Sequence, residues 1–166
     1  ELVKQLSSHP RVAAWLTTDN LVRNFVVVTA RVADGKTPSR QLGVLRPSSA
    51  FAAVERGGAT YVDPKSYERY DGIASAVASI DPAGAARLYA TLKPRIADAY
   101  GELGVQSTFD QTLERAIVTL LKTPVIDDPV RIEPLGGTGY GFADPQLEAH
   151  ERHAVRLGDG DRALAI

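Results

Sequence analysis

Residues 63–103 read DPKSYERYDGIASAVASIDPAGAARLYATLKPRIADAYGEL, and the fold turns on how this stretch is interpreted. It holds two Asp-Pro pairs, Asp63-Pro64 and Asp81-Pro82, each followed by apolar residues three or four positions apart. An Asp side chain accepts from the orphan N–H groups of a first helical turn, and Pro pre-sets φ there without removing a useful donor. After Asp63 the stripe is Tyr67, Tyr70, Ile73, Ala74 and Val77; after Asp81 it is Leu88, Leu92, Ile96, Ala99 and Leu103. Both follow the 3.6-residue period of a helix with one buried face. Pro94 lies inside the second pattern and predicts a kink or a division, because its ring opposes the carbonyl of Ala90. The connection between the two helices is only about two residues, so they fold back on each other or meet at a sharp corner.

The same logic extends outward. Thr108 and Gln111 form a capping box for a helix with the apolar face Phe109, Leu113, Ile117, Leu120 and Leu121, stopped by Pro124. A third pair, Asp144-Pro145, opens a final helix running to about Leu157. Upstream, Pro10 suits the first turn of a helix over residues 9–16, and Thr17, Thr18 and Asp19 offer a cap for a second helix reaching Ala33. Its stripe is Leu21, Phe25, Val28 and Val32, widened by Val22 and Val26. Phe25 to Val28 is β-branched enough to read as a strand, but the wider period and the Asp34-Gly35 stop favour helix. Residues 36–49, punctuated by Pro and Ser, read as extended. Two hairpins are expected: Phe51–Glu55 with Ala59–Val62 around Arg56-Gly57-Gly58, and Val130–Leu135 with Gly139–Ala143 around Gly136-Gly137-Thr138. The expectation is a mainly α fold, one helical domain over residues 1–166 with about six helices and two small β-hairpins.

Composition narrows the function. Nineteen Lys and Arg face twenty Asp and Glu, a net charge of −1, which argues against nucleic acid as a partner because phosphate binders carry a cationic excess. The 166 residues are enough to bury a core without staples, and the absence of Cys excludes disulfides, thiolate metal sites and a cysteine nucleophile. No apolar run reaches the roughly 18 residues of a membrane span. The chain contains no Met and starts at Glu1, which predicts a fragment whose upstream segment was left out or processed away.

Catalytic signatures are sparse. His150 and His153, three apart on the expected last helix with Glu148 and Glu151, can share a face and hold Zn²⁺ or Ni²⁺. The order His-Glu-Arg-His is not that of a metalloprotease, and a solvated polar face explains it as well. Asp127-Asp128 and the Asp63/Asp71 pair supply carboxylates of the kind used in glycoside hydrolysis, yet Asp63 reads as a cap and Asp127-Asp128 as a turn. There is no Gly-x-Ser-x-Gly elbow, Ser-x-x-Lys or Walker A loop, and the glycine-rich run 136–141 meets Asp144 where a dinucleotide fingerprint needs Gly.

The group that stands out is aromatic and polar. Tyr67, Arg69, Tyr70 and Asp71 crowd into about one helical turn. Tyr and Arg are favoured where partners dock, since Tyr joins apolar area to a hydrogen-bonding tip. Two readings stay open. Tyr67 and Tyr70 face the core, with Arg69 buttressing against Glu68, Asp71 or another carboxylate; or the cluster forms a docking surface with Tyr140 from the second hairpin.

Three ordered motifs carry a family resemblance: Tyr61-Val62-Asp63-Pro64-Lys65-Ser66-Tyr67-Glu68-Arg69-Tyr70-Asp71, Tyr100-Gly101-Glu102-Leu103-Gly104, and Tyr140-Gly141-Phe142-Ala143-Asp144-Pro145-Gln146-Leu147-Glu148. With the Leu21–Val27 helix, they make nearly the whole chain resemble DUF3014, a bacterial domain of unknown function. The departure lies at Leu157-Gly158-Asp159-Gly160-Asp161, where a Met-Gly-Pro-Glu-Asn-like turn is expected. The resemblance brings no catalytic residues and no cofactor. It implies an envelope protein, periplasm-facing and anchored by an N-terminal membrane segment and a Pro-rich linker, with this domain at the C-terminal end. The expected function is therefore a non-catalytic binding or scaffolding module with an envelope protein or the cell wall as partner. The alternative is an envelope hydrolase acting on peptidoglycan or another polymer through a carboxylate or Tyr-Arg site.

Overall fold

A computed structural model describes residues 6–38, 40–136 and 139–148. Among these, six α-helices and four strands follow the order α1 (Pro10–Leu16), α2 (Leu21–Ala33), β1 (Ala53–Arg56), β2 (Ala59–Val62), α3 (Pro64–Glu68), α4 (Asp71–Ala78), α5 (Pro82–Gly101), α6 (Phe109–Leu121), β3 (Arg131–Pro134) and β4 (Tyr140–Phe142). A 3₁₀ turn, Gly43–Leu45, interrupts the stretch expected to be extended. Residues 145–148 are helical, and the remainder of the expected last helix, with His150, Glu151, His153 and the 157–161 turn, lies outside the described residues.

All three Asp-Pro pairs act as helix starts. The Asp63 carboxylate accepts from Lys65 N–H, that of Asp81 from Gly84 N–H, and that of Asp144 from Gln146 N–H. The capping box is complete: Thr108 Oγ1 accepts from Gln111 N–H at 3.3 Å, and Gln111 Oε1 accepts from Thr108 N–H at 3.1 Å. One expected cap is absent. Asn20, left-handed at φ 57°, precedes α2 with no side-chain cap, while the Thr17 and Thr18 hydroxyls turn back to the carbonyls of Ala14 and Trp15 and close α1 instead.

The helix after Asp63 is two helices. It breaks at Arg69 and Tyr70, and the break rotates the buried face, so Tyr67, Tyr70 and Val77 are exposed while Ser66 and Ala76 are buried. Ser66 is drawn inward because its hydroxyl accepts from Ala52 N–H and donates to the Ala52 carbonyl, each at 2.8 Å. Pro94, by contrast, does not divide α5. Pro94 and Ala90 are both exposed, so water can take the freed carbonyl while Leu92 and Ile96 hold the helix to the core.

Three apolar clusters result. Val26, Ile96, Tyr100 and Phe109 join α2, α5 and α6, with Val22, Ala30 and Leu113 around them. The buried face of α2 centres on Val26 and Thr29, so Phe25 sits at its margin, with its ring 5.5 Å from that of Phe109. On α6 the buried face is Phe109, Thr112 and Ala116; of the expected stripe Phe109 is buried and Leu113 half-buried, whereas Ile117, Leu120 and Leu121 are exposed. The Tyr100 hydroxyl bonds to Thr112 Oγ1 at 2.7 Å and to Ser107 Oγ at 2.8 Å, which satisfies a threonine only 1% exposed. A second cluster, around Leu6, Val12 and Ala76, packs α1 against α4 and the start of α5.

The third cluster, Val62, Val130 and Ile132, lies under the sheet, and here the expected pair of separate hairpins gives way to one four-stranded antiparallel sheet in the order β1-β2-β3-β4. Both hairpins form. Gly57 and Gly58 take the two positive φ values that a two-residue turn needs, 58° and 77°. Thr60 then faces Ile132 and Tyr61 faces Arg131, joining the hairpins across the four helices α3 to α6. Nothing in either hairpin alone signals this pairing. Its driving force is burial of Val62 and Ile132 on a shared face, with Phe51, Phe142 and Leu147 packed on it.

Candidate functional site

The opposite face of the sheet carries a cleft of about 300 Å³. Its geometry follows from register. Val54 pairs with Tyr61 and Arg56 with Ala59, and residues two apart share a face, so Val54, Arg56 and Tyr61 point to the same side. Helix α3 adds Pro64 and Tyr67, and the loop before β3 adds Ile126, Asp127, Asp128 and Pro129. Val54, Ile126 and the prolines supply apolar surface, and the two tyrosines supply aromatic surface with hydroxyls. Arg56, Asp127 and Asp128 make no ion pair among the described residues; the four ion pairs found there use other groups. Tyr67 is 52% exposed, and burial of the rest of its ring in the cleft raises its phenol pKa above the usual value.

The five residues singled out in the sequence divide among three places. Tyr67 lines the cleft. Arg69, Tyr70 and Tyr140 belong to a stack joined by Phe51, which packs on the other face of the sheet with Val62 and Ile132. The guanidinium carbon of Arg69 lies 5.7 Å from the Phe51 ring centre and 5.5 Å from that of Tyr70, and Phe51 lies 5.8 Å from Tyr140. Arg69 Nε also donates to the Ser66 carbonyl at 2.9 Å, and Nη1 to that of Ser49 at 3.3 Å. The arginine thus ties the end of α3 to the chain entering β1, which is buttressing through carbonyls and rings. Asp71 stands exposed in the first turn of α4, where a negative charge suits the helix dipole.

Arg56, Tyr61, Ile126 and Phe51 were not singled out in the sequence. The first two were within reach, because the Gly57-Gly58 turn fixes the register that places them beside Val54. Ile126 and Phe51 carry no such signal; their roles depend on the β2–β3 pairing and on the path of residues 49–52. Asp127 and Asp128, readable as a turn, do lie in a loop, but that loop forms one wall of the cleft.

A further polar group sits away from the cleft. Asp110 accepts from the Tyr89 hydroxyl and, at 2.6 Å, from Lys93 Nζ, clamping α5 to α6. The bond from Lys93, then that from Tyr89, holds the Asp110 pKa below its ordinary value, while burial and the adjacent carboxylate push Tyr89 up to about 12. Both groups are matched to each other, which marks a structural clamp.

No helix among the described residues is long and apolar enough to cross a membrane. No curated protein and no solved structure matches the chain. The family model described as "Protein of unknown function (DUF3014)" matches residues 21–164, most of the sequence and all three motifs quoted above, and the chain belongs to that family.

Proposed function

We propose that this domain is a non-catalytic binding module of a bacterial envelope protein and that the cleft over β1 and β2 holds its partner. The observation that supports the reading is the gathering of exposed Tyr67 with three charges, Arg56, Asp127 and Asp128, that have no ion pair among the described residues, around an apolar floor. Charges that serve the fold are matched, as Asp110 is by Lys93. Charges left unmatched beside aromatic surface are available to a partner, and Tyr and Arg are the residues on which docking energy concentrates. The envelope location, with an anchor in the full-length protein, rests on the family likeness.

The test places a photoreactive phenylalanine analogue at Tyr67 of the full-length protein in living cells, with Leu120 on α6 as a second position. Leu120 is 60% exposed and lies away from the cleft. The expected result is a discrete adduct at position 67 that is lost with Arg56→Ala and absent at position 120. Adducts at 120 alone overturn the reading. Turnover of cell-wall fragments that disappears with Asp127→Asn or Asp128→Asn would instead favour the hydrolase, to which these two carboxylates give a foothold in the cleft.

A further inference from the structure

The sheet has two edges, and they are treated differently. At β4 the outward Phe142 N–H is taken at 2.9 Å by the Glu148 carboxylate, and that side chain also crowds Gly141. The edge is closed. At β1 the Asp63 N–H donates to the Ala52 carbonyl at 3.0 Å, so antiparallel alternation turns the main chain of Val54 and Arg56 toward β2 and that of Ala53 and Glu55 outward. The outward N–H and C=O groups of Ala53 and Glu55 have no hydrogen bond among the described residues. That makes two donors and two acceptors at strand spacing, on an edge that borders the cleft through Val54 and Arg56.

An unpaired edge is a template for another extended chain. Charge selects which chain. In the cleft Asp127 and Asp128 set two negative charges against one positive, Arg56, Glu55 adds a third negative charge on the other face of the edge strand, and none of the four is in an ion pair among the described residues. We propose that β1 takes an extended, basic segment of a partner protein as a fifth strand, whose alternate side chains enter the cleft toward Asp127 and Asp128. This rests on the cleft being the binding site and adds the partner's conformation and charge. In a strand beside β1, residues two apart lie next to Val54 and Arg56, so the fitting pattern is Lys or Arg at alternate positions, with their apolar stems on Val54 and their charges within reach of the aspartates. Arg56 suits an acidic side chain or a C-terminal carboxylate at the end of the segment.

The probe is the capped heptapeptide acetyl-KVKVKVK-amide, titrated calorimetrically into the 166-residue chain. Binding is expected, with affinity falling as salt rises, and the glutamate counterpart acetyl-EVEVEVE-amide should bind about tenfold more weakly or not at all. N-methylating alternate amides of the lysine peptide should reduce affinity about tenfold in one register and leave it nearly unchanged in the other, because only one set of amides faces β1. Ala53→Pro removes an outward donor without touching the β1–β2 ladder, so binding should weaken while the far-ultraviolet circular dichroism is retained. Equal response to both methylation registers, with loss on Asp127→Asn plus Asp128→Asn, overturns strand addition and leaves the cleft reading standing. Register-selective loss with no response to the aspartate substitutions overturns the cleft reading and the basic partner. No binding of the lysine peptide overturns the proposal as a whole.

Discussion

The three-helix cluster of α2, α5 and α6 and the sheet end of the molecule differ in how some of their polar groups are partnered. Among the helices, special groups find partners close by: Thr108 with Gln111, Tyr100 with Ser107 and Thr112, Asp110 with Tyr89 and Lys93. At the sheet end Arg56, Asp127, Asp128 and the outer main chain of Ala53 and Glu55 have none among the described residues. Helices satisfy their main chain internally, so side-chain clamps can complete them. A sheet always ends in an edge; here Glu148 takes the outward Phe142 N–H of β4, while the outward groups of β1 have no partner among the described residues. Matched polar groups stabilise one arrangement, whereas unmatched ones keep a surface receptive.

The hardest test of this contrast comes from the two cores. Phe109, 5% exposed and in contact with the rings of Phe25, Tyr89 and Tyr100, should cost about 3–5 kcal/mol as Phe109→Ala. Ile132→Ala, at 1% exposure under the sheet, should cost about 2–5 kcal/mol. Urea denaturation should show both substitutions shifting one shared transition; two separate transitions would mean that the regions are stable independently. Next in size is Glu148→Ala, which strips the acceptor from Phe142 N–H and should cost about 1–3 kcal/mol. It should also open β4, visible as new self-association in sedimentation, where the β1 edge already tolerates exposure.

Smaller still is Tyr100→Phe, which removes the hydroxyl joining Thr112 to Ser107 and should cost about 1 kcal/mol by thermal or chemical melting. The mildest test is pH. The folded pKa of Asp110 is depressed, so its contribution is present above the ordinary carboxylate value of 3.8 and fades as pH falls through the lower folded value. Tyr89 runs the other way: raised from 10.0 to about 12, it contributes below pH 10 and its contribution is lost as pH climbs toward 12. Phenolate absorbance should show the Tyr89 midpoint falling back toward 10 in Asp110→Asn. An unchanged midpoint would show that the clamp does not operate in solution.

Local signals were legible and long-range ones were not. The three Asp-Pro starts, the Thr108–Gln111 box, the Gly35 stop and the Gly57-Gly58 turn each depend on residues within a few positions, and all form as the sequence implies. The break at Arg69 and Tyr70 was hidden because the force that makes it, Ser66 bonding both main-chain groups of Ala52, comes from another segment. The same applies to the site. Tyr67 and Arg69 drew notice by composition, yet which one faces the cleft and which one braces the chain depends on Phe51 and on the loop before β3. The apolar half of α6, Ile117 to Leu121, shows that a helical stripe marks what can be buried, not what is.

The bond between β2 and β3 has a consequence for how the chain reaches its native state. Thr60 meets Ile132 only after α3 through α6 have been laid down between them, so closing that long loop is entropically costly until the helices have collapsed and brought its ends together. The helices should therefore condense first and the central sheet pairing last. During refolding, amides of α5 and α6 should become protected from exchange before Val62 N–H, which donates to the Val130 carbonyl at the seam. The wall of the cleft built from residues 126–129 would then be the latest part of the molecule to appear.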